Sequence, residues 1–322
     1  MDRLPEDLLV KILEHLPARS LCRATCVSKP FAVAAARVGC LRVAVGARTP
    51  LQLREWLASD AVAPKVVSLT ARRSMYTHCG WLRRLVNLEL VDVAHCLLRP
   101  AVLSHLATLV NLKTLAMHRI FPLGAFDTFH TKVFEPLENL ETLRITLAPF
   151  WETAVIDGLP PALTLLSLRN ATTLVVRDTP EVADITLRAY EALLFIDPLG
   201  QGCESVDLEC AASPVRLHRA FDKSRFFGGE FGVKRLRVSA PNAATGVSPL
   251  AALPALETVD LDYDDFTFSA AEVRALRSLR SLTVNARQTF SILDSGPLPP
   301  ALRTRLTVNG QVLSLQSFLL TG

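Results

Sequence analysis

Two leucine-like residues separated by one position recur along the chain from about residue 40 onwards. The clearest copies are LVNLELVDV (85–93), NLKTLAM (111–117), NLETLRI (139–145), ALETVDL (255–261) and SLRSLTV (278–284). Apolar residues that alternate with polar ones over a short segment are typical of a β-strand with one buried face. Each copy therefore predicts one strand, and the copies together predict a repeating architecture.

The spacing of the predicted strands indicates how the repeat is built. The last apolar residue of each pair serves as its marker, and the markers are Val43, Leu69, Leu90, Met117, Ile145, Leu168, Leu187, Leu208, Val238, Leu261, Val284 and Val308. Successive markers are 19 to 30 residues apart, which resembles the leucine-rich-repeat family, whose period is about 20–29 residues. The resemblance implies an α/β solenoid in which about twelve coils, over residues 41–322, pair their strands in parallel along a concave face.

The return segments between the strands are predicted to be mixed. Several are long enough for a helix, whereas coils of 19 and 21 residues in the middle of the chain leave little room for one. That region contains three further apolar pairs, at Leu174/Val176, Leu193/Phe195 and Val215/Leu217. These pairs predict that three returns run as strands and form a second, convex sheet.

Two features stand out towards the carboxyl end. Asn309-Gly310 separates two alternating runs in RLTVNGQVLSL, which predicts a β-hairpin that covers the last strand edge. The long return over 211–234 carries four phenylalanines around Gly228-Gly229. It is either an insertion that fills the core or a projecting contact loop.

The amino-terminal stretch LPEDLLVKILEHLP (4–17) predicts a short helix of a different kind. Pro5 stands at its start, and Leu8, Ile12 and Leu16 follow at i, i+4 and i+8 with Leu9 and Leu13 beside them. This apolar face is too wide for an isolated helix in water and must be covered. The following segment predicts two more short helices, but about 40 residues have difficulty burying so much apolar surface.

Residues 4–31 resemble an F-box, the module that docks substrate receptors onto the Skp-type adaptor of cullin–RING ubiquitin ligases. The positions that match the family pattern are Leu4, Pro5, Asp7, Leu8, Ile12, Leu13, Leu16, Pro17, Leu21, Val27 and Phe31. Ser28, Lys29 and Pro30 depart from the pattern at the start of the third helix. The positions that the resemblance assigns to adaptor binding are Leu4, Pro5, Leu8, Ile12, Leu16, Pro17, Leu21, Val27 and Phe31.

An F-box at residues 1–40 followed by leucine-rich repeats at 41–322 resembles the substrate receptors of SCF-type ubiquitin ligases. The resemblance implies a non-catalytic subunit that binds the adaptor, and through it a cullin, and holds a protein substrate on the concave face. Two alternatives remain open. The amino-terminal helices could be a cap that seals the first coil, and the chain could be a scaffold that bridges proteins outside a ligase.

The predicted concave face carries a group of charged residues. Residues that flank the inward leucines point outwards because side chains alternate along a strand. The predicted substrate-binding residues are Arg144, Arg169, Arg188, Asp207, Glu209 and Arg237. Arg144, Arg169 and Arg188 come from successive coils. Because guanidinium groups bind carboxylates and phosphates bidentately, these three arginines suggest that the substrate segment is acidic or phosphorylated. A solvated charged surface is the alternative.

Composition narrows the remaining possibilities. The 322 residues carry a formal net charge of +4 and no dense basic run, so nucleic acid is not a predicted partner. Charged residues interrupt every apolar run well short of a membrane span, and seven cysteines without framework spacing indicate a soluble cytoplasmic or nuclear protein. The segment DLDYDDF (260–266) begins like a calcium-binding loop, but Asp265 stands where such a loop requires glycine. Calcium binding is therefore not predicted. No cofactor, metal ion or catalytic residue is predicted.

Overall fold

The structure of the chain is a computed structural model. It describes residues 5–38, 41–46, 51–73, 80–98, 100–122, 128–149, 151–177, 182–213, 215–221, 231–240, 244–245, 250, 253–292, 298, 302–308 and 311–313. Within these residues no helix is long and apolar enough to cross a membrane.

The helices lie mainly in the first third of the described chain. The α-helices are α1 (Glu6–Glu14), α2 (Ala18–Thr25), α3 (Lys29–Arg37), α4 (Leu51–Leu57), α5 (Pro100–Leu106), α6 (Leu217–Ala220) and α7 (Ala270–Ala275). Short 3-10 helices occupy Ala63–Lys65, Gly80–Arg84 and Thr131–Phe134.

The strands continue to the end of the described chain. They are β1 (Leu41–Gly46), β2 (Val66–Arg72), β3 (Leu90–Ala94), β4 (Leu97–Leu98), β5 (Thr114–Pro122), β6 (Thr128–His130), β7 (Thr142–Leu147), β8 (Thr153–Ile156), β9 (Leu165–Val176), β10 (Asp184–Phe195), β11 (Ser205–Cys210), β12 (Arg235–Ala240), β13 (Ala244–Thr245), β14 (Thr258–Phe268), β15 (Ser281–Ile292), β16 (Arg303–Val308) and β17 (Gln311–Leu313). All twelve predicted marker residues fall within strands.

The chain divides into two compact units. Unit 1 comprises residues 1–126, 133–150 and 160–163, and unit 2 comprises 127–132, 151–159 and 164–322. In unit 1 the strands β1, β2, β3, β5 and β7 pair in parallel in that order. A buried column crosses them in register, formed by Val43, Leu69, Val91, Leu115 and Leu143.

Unit 2 repeats the same arrangement over more coils. The strands β9, β10, β11, β12, β14, β15 and β16 pair in parallel in that order. The buried column here comprises Leu168, Leu187, Leu208, Val238, Leu261 and Val284. The predicted α/β leucine-rich-repeat fold is thus confirmed, because in both units one inward residue per coil stacks on its equivalent in the next.

One marker residue was placed on the wrong face of its strand. Leu90 was predicted to point inwards and Val91 outwards, but Val91 is fully buried and Leu90 is exposed. LELVDV contains two overlapping alternating patterns, and a shift of one residue exchanges the faces of a strand. The column is completed by Val91 and Val93, which lie in register with Leu115 and Met117.

The prediction that returns run as strands is confirmed at two of its three positions, but these segments continue β9 and β10 within the same sheet and do not form a separate second sheet. Leu174 and Val176 of β9 pair in parallel with Leu193 and Phe195 of β10, and β8 extends this layer on the other side of β9. The third position, Val215/Leu217, is wrong, because Leu217 begins α6. The return after β11 is long enough to hold a helical turn, whereas the shorter returns are not.

The carboxyl-terminal hairpin is confirmed by the pairing of its two strands. β17 pairs antiparallel with β16, with Val308 opposite Gln311 and Leu306 opposite Leu313. The turn residues Asn309-Gly310 lie outside the described residues. The pairing covers one edge of β16, as the prediction requires.

The phenylalanine-rich return contributes to the core of unit 2. Phe221 and Phe231 are buried, and their rings meet edge to face with centroids 5.6 Å apart. At these two positions the return fills the core, as one of the two alternatives required. Phe226 and Phe227 lie outside the described residues.

Asparagines join successive coils of unit 1 at equivalent positions. The side-chain amide of Asn87 donates to the carbonyl of Pro64 (2.7 Å), that of Asn111 to Val86 (2.9 Å), and that of Asn139 to Val110 (2.9 Å). Each asparagine therefore satisfies a backbone acceptor of the preceding coil.

Replacing the middle asparagine tests this ladder. Asn111→Ala should lower the free energy of unfolding by about 1 kcal/mol, because one intramolecular hydrogen bond is lost at a site open to water. Urea denaturation measures the effect. Glu138→Ala, at an exposed position one coil further on, is the control and should leave the midpoint unchanged. Equal midpoints for the two variants would contradict a stabilising ladder.

Candidate protein-interaction surfaces

The three amino-terminal helices pack into a small module in unit 1. α1 and α2 both contact α3. Leu9 and Leu13 of α1 and Leu21 of α2 are buried, so one face of each helix forms the core of the module. α3 begins at Lys29, with Ser28 in the extended conformation before it and Pro30 in its first turn. Pro30 therefore favours the start of this helix, because its fixed φ suits the first turn.

The opposite face of α1 is apolar and exposed. Leu8, Ile12 and Leu16 have exposed fractions of 48%, 52% and 37%. Their spacing places them on one side of the helix axis, with Leu16 just beyond the last helical turn. Three large aliphatic side chains in one row form the kind of apolar patch that usually marks an interaction surface.

Two further exposed apolar residues belong to the same helical module. Val27 follows α2 with an exposed fraction of 70%, and Val33 lies on α3 with 53%. Val33 is missing from the matched motif positions, and the sequence offers no signal that it would face water, because the neighbouring Ala34 and Ala35 are buried.

The other residues assigned to adaptor binding differ in accessibility. Pro5 and Pro17 are exposed at the amino-terminal caps of α1 and α2. Phe31 is half-buried, whereas Leu21 is fully buried and packs inside the module. Leu4 lies outside the described residues. The burial of Leu21 removes its side chain from any surface that a partner could contact.

The charged residues predicted on the repeat strands fall into both units. Arg144 lies on β7 of unit 1 and is exposed. Arg169, Arg188, Asp207, Glu209 and Arg237 lie on β9 to β12 of unit 2, all at positions that alternate with the buried column. The predicted outward orientation of these side chains agrees with their exposed or half-buried surfaces.

Arg188 is the centre of an ion-pair cluster in unit 2. Its guanidinium nitrogens lie 3.1 Å from a carboxylate oxygen of Asp207 and 3.0 Å from one of Glu209. Arg237 approaches Asp260 at 3.8 Å, and Arg169 donates a hydrogen bond to the hydroxyl of Ser167 at 3.2 Å. Of the three arginines predicted in unit 2, Arg188 and Arg237 are therefore paired with carboxylates of neighbouring strands.

A second ion-pair cluster includes an arginine that the sequence pattern does not mark. Arg287 donates to both carboxylate oxygens of Asp262, at 3.0 and 3.1 Å, and a third nitrogen lies 3.6 Å from Asp264. The hydrogen bond to Asp262 raises the pKa of Arg287. This guanidinium therefore contacts two of the aspartates of DLDYDDF.

On this face, the carboxylate of Asp260 lacks a hydrogen bond from the described residues at one of its two oxygens. Its Oδ1 atom is buried and has no hydrogen-bond partner within the described part of the chain. Desolvation raises the pKa of Asp260 above its ordinary value of 3.8, and Asp262 and Asp207 act in the same direction, whereas Arg237 opposes them. The folded state therefore disfavours the charged form of this residue.

The raised pKa of Asp260 predicts how stability depends on pH. Above pH 3.8 the folded state holds this proton more tightly than the unfolded state, so the contribution of Asp260 to stability falls as the pH rises through the folded pKa. Asp260→Asn removes the charge and should raise the melting temperature at pH 7, with a gain that disappears towards pH 3.8.

Melting curves of the two proteins from pH 3 to pH 8 measure this difference. Asp262→Asn is the control and should lower the melting temperature at pH 7, because Asp262 accepts two hydrogen bonds from Arg287. A lower melting temperature for Asp260→Asn at pH 7 would contradict the argument.

The described residues show no arrangement of metal ligands. No group of three or more His, Cys, Asp or Glu side chains among them could hold a metal ion. Cys22 and Cys26, one helical turn apart at the end of α2, are free thiols, and partial burial raises the pKa of Cys22.

The chain is similar to known proteins in two respects. Residues 1–41 match the family model described as F-box-like. An internalin (inlF) from Listeria monocytogenes is 14% identical with a TM-score of 0.44, and the match covers 93% of each chain. A leucine-rich-repeat protein from Leptospira interrogans is 12% identical with a TM-score of 0.27, over 80% of this chain and 92% of that one. Among curated proteins, none matches the chain.

An F-box-like segment combined with leucine-rich-repeat coils is typical of protein-interaction adaptors rather than of enzymes. The surfaces described above fit that class, since one is a row of exposed aliphatic side chains and the other is a polar, charged sheet face.

Proposed function

We propose that this chain, which joins an F-box-like segment to leucine-rich-repeat coils, is the substrate-recognition adaptor subunit of an SCF-type ubiquitin ligase. The observation that carries the proposal is the exposed row of Leu8, Ile12 and Leu16 on α1. A helix with such a row lies in the apolar groove of a partner in many peptide complexes. In an F-box that partner is the Skp-type adaptor, which links the receptor to a cullin.

The proposed docking surface combines the accessible residues of the helical module. It consists of Leu8, Ile12, Leu16, Pro5, Pro17, Val27, Val33 and the exposed part of Phe31. Leu4 belongs to it by the family pattern. Leu21 supports the surface from below by holding α2 against its neighbours. An amino-terminal cap would instead present a polar outer face to water.

The proposed substrate-binding residues lie on the outward positions of the repeat strands. They are Arg144 in unit 1 and Arg169, Arg188, Asp207, Glu209 and Arg237 in unit 2. The chain would act by proximity, because a bound substrate is held at a high effective concentration near a conjugating enzyme elsewhere in the complex. No covalent step falls on this chain, and its place of action would be the cytoplasm or the nucleus.

Reconstitution with purified components tests the proposal. The full chain should form a stable complex with a Skp-type adaptor and, through it, with a cullin, as measured by size-exclusion chromatography. The alternative is a scaffold that bridges proteins outside a ligase. Binding of the adaptor without recruitment of the cullin would favour this scaffold, and absence of adaptor binding would overturn the proposed function.

A further inference from the structure

The return segments of unit 2 expose apolar side chains on their outward side. β8 pairs in parallel with the carboxyl-terminal half of β9, which pairs in turn with that of β10. Side chains alternate along a strand, so Leu193 and Phe195 of β10 are buried, whereas Leu194 has an exposed fraction of 45%. Ile196 follows with 49%, and Val175 of β9 lies beside Leu194 in register and is half-buried. We use the name return face for the outward side of these strands, with Val175, Leu194 and Ile196 as its apolar cluster.

The apolar cluster differs from the usual composition of a solvated strand face. A sheet with one face on the core normally carries polar residues on its other face. Thr153 and Thr173, which lie in register at the amino-terminal end of the return face, follow this rule. Leu194 and Ile196 break it, although the inward side of the same strands is apolar and buried. A cluster of large aliphatic side chains in water is typical of an interaction surface.

Acidic side chains mark the amino-terminal end of the return face. Glu152 directly precedes Thr153, and Glu191 directly precedes Ala192. Thr153 and Ala192 both lie in register with Thr173, so the two glutamates stand at the same level on either side of β9. Both glutamates are exposed. Two carboxylates therefore flank this end of the face, about 10 Å apart at two strand spacings.

Basic side chains mark the opposite end. Arg177 directly follows β9 and is exposed. Lys132 is also exposed, and its amide donates to Oδ1 of Asp157, the residue after β8, at 3.1 Å. The other carboxylate oxygen of Asp157 contacts the imidazole of His130 at 2.6 Å, and Asp197 is half-buried. Among the described residues, Arg177 and Lys132 are thus the exposed cations at this end.

The four charges are accessible to a partner. No described side chain of opposite charge lies within 4.0 Å of Glu152, Glu191, Lys132 or Arg177. On the repeat strands of the same unit, by contrast, Arg188 is bound by neighbouring carboxylates. The return face therefore has an acidic end, an apolar cluster and a basic end.

We propose that the return face binds the return face of a second copy of this chain in a symmetric dimer. A two-fold axis that lies between the faces and runs across the strands reverses the strand direction of the second copy. It brings Glu191 towards Arg177 of the second copy and Glu152 towards Lys132 of the second copy, with the apolar clusters between them. A two-fold interface requires a surface that is complementary to itself, and packed sheets lie about 10 Å apart. The inference goes beyond the proposed function and does not depend on it.

The size of the return face predicts a weak dimer. Across β8 to β10 and along the residues from Thr173 to Arg177, it covers on the order of 250 Å². Stable protein–protein interfaces bury about 800 Å² per partner. A dissociation constant of about 10–100 μM is therefore expected, and salt should weaken binding because four ion pairs between exposed side chains contribute to it.

Sedimentation velocity of the full chain tests the proposal. Between about 1 and about 300 μM the protein should change from monomer to dimer, and NaCl at about 1 M should shift the midpoint to higher concentration. A monomer over the whole range would overturn the proposal. Growth beyond the dimer would also overturn it, because a two-fold interface is closed.

A charge exchange between two variants tests the predicted arrangement. Lys132→Glu with Arg177→Glu makes both ends acidic, and Glu152→Arg with Glu191→Arg makes both ends basic. Each variant alone should be monomeric, because like charges would face each other. Their equimolar mixture restores every opposite pair and should form a heterodimer with a dissociation constant within about threefold of the wild-type dimer. Dimerisation of either variant alone, or a mixture that stays monomeric, would refute this arrangement.

Substitutions in the apolar residues locate the contact. Leu194→Asp should weaken the dimer at least about tenfold, because a carboxylate enters the apolar centre of the interface. Val312→Asp is the matched control, since Val312 is 65% exposed in unit 2 but lies on β17. An equal loss in both variants would refute the assignment to the return face.

The exposed row on α1 offers a second apolar surface, and its variant separates the two proposals. Leu8→Asp/Ile12→Asp should dimerise like the wild type, and Leu194→Asp should bind the adaptor like the wild type. Loss of the dimer in Leu8→Asp/Ile12→Asp would place the contact on the helical module and overturn the proposal. A chain that dimerises through the return face without binding the adaptor would refute the ligase role alone.

Discussion

Replacing Leu8 and Ile12 together by aspartate is expected to abolish binding of the Skp-type adaptor, with an affinity loss of at least about 100-fold. Both side chains are about half exposed in the free chain, so neither is needed for the core of the helical module. In the proposed complex they would be buried in an apolar groove, and each aspartate would bring an unpaired carboxylate into it. Burial of such a group costs several kcal/mol, which exceeds what the surrounding contacts can compensate.

Calorimetry with the purified adaptor measures this loss. Val86→Asp together with Val110→Asp is the matched control, because these valines are also exposed and belong to unit 1 but lie outside the helical module. The control should bind the adaptor normally, and both double variants should melt like the wild type. Unchanged affinity of Leu8→Asp/Ile12→Asp would show that α1 is not the docking surface and would remove the main support of the ligase proposal.

The strands could be predicted from sequence because their signal is local and repeated. A buried residue at every second position, returning once per coil, leaves few alternatives for the fold. The face assignment failed only where the local signal is degenerate, as at Leu90 and Val91. There, the identity of the buried residue is decided by the register with Leu69 and Leu115 in the neighbouring coils.

The return segments were less predictable, because the same apolar pair suits a strand or a helix. Leu193 and Phe195 form a strand, since β9 offers a paired partner and the short return leaves no space for a helix. Leu217 begins a helical turn within a longer return. Length therefore decides the outcome where local pattern does not.

The folded sheet determines which charged side chains form ion pairs, and the sequence pattern does not reveal it. Arg188, Asp207 and Glu209 were all predicted as outward residues, and the parallel register brings the guanidinium of Arg188 within 3.1 Å of each carboxylate. Arg287 was missed because it lies beyond the alternating segment that marks its strand.

In the helical module, the family pattern identified matching positions but did not distinguish residues that contact a partner from residues that support the module. Leu8 and Leu21 both match the pattern, yet Leu8 is about half exposed and Leu21 is fully buried. Val33 shows the opposite case, an exposed residue outside the pattern. The packing of α1 and α2 against α3 makes this distinction, and it depends on contacts between helices that a single helical periodicity does not specify.

Leu21→Ala is accordingly expected to destabilise the helical module by about 2–5 kcal/mol, because the substitution leaves a cavity at a fully buried site. Hydrogen–deuterium exchange of peptides from α1, α2 and α3 measures the local free energy of opening. Val33→Ala, at an exposed position on α3, should change it by less than about 0.5 kcal/mol. The affinity of Leu21→Ala for the adaptor should fall only in proportion to the fraction of molecules in which the module is unfolded, because the docking side chains are unchanged. Wild-type exchange combined with lost adaptor binding would instead place Leu21 in direct contact with the adaptor.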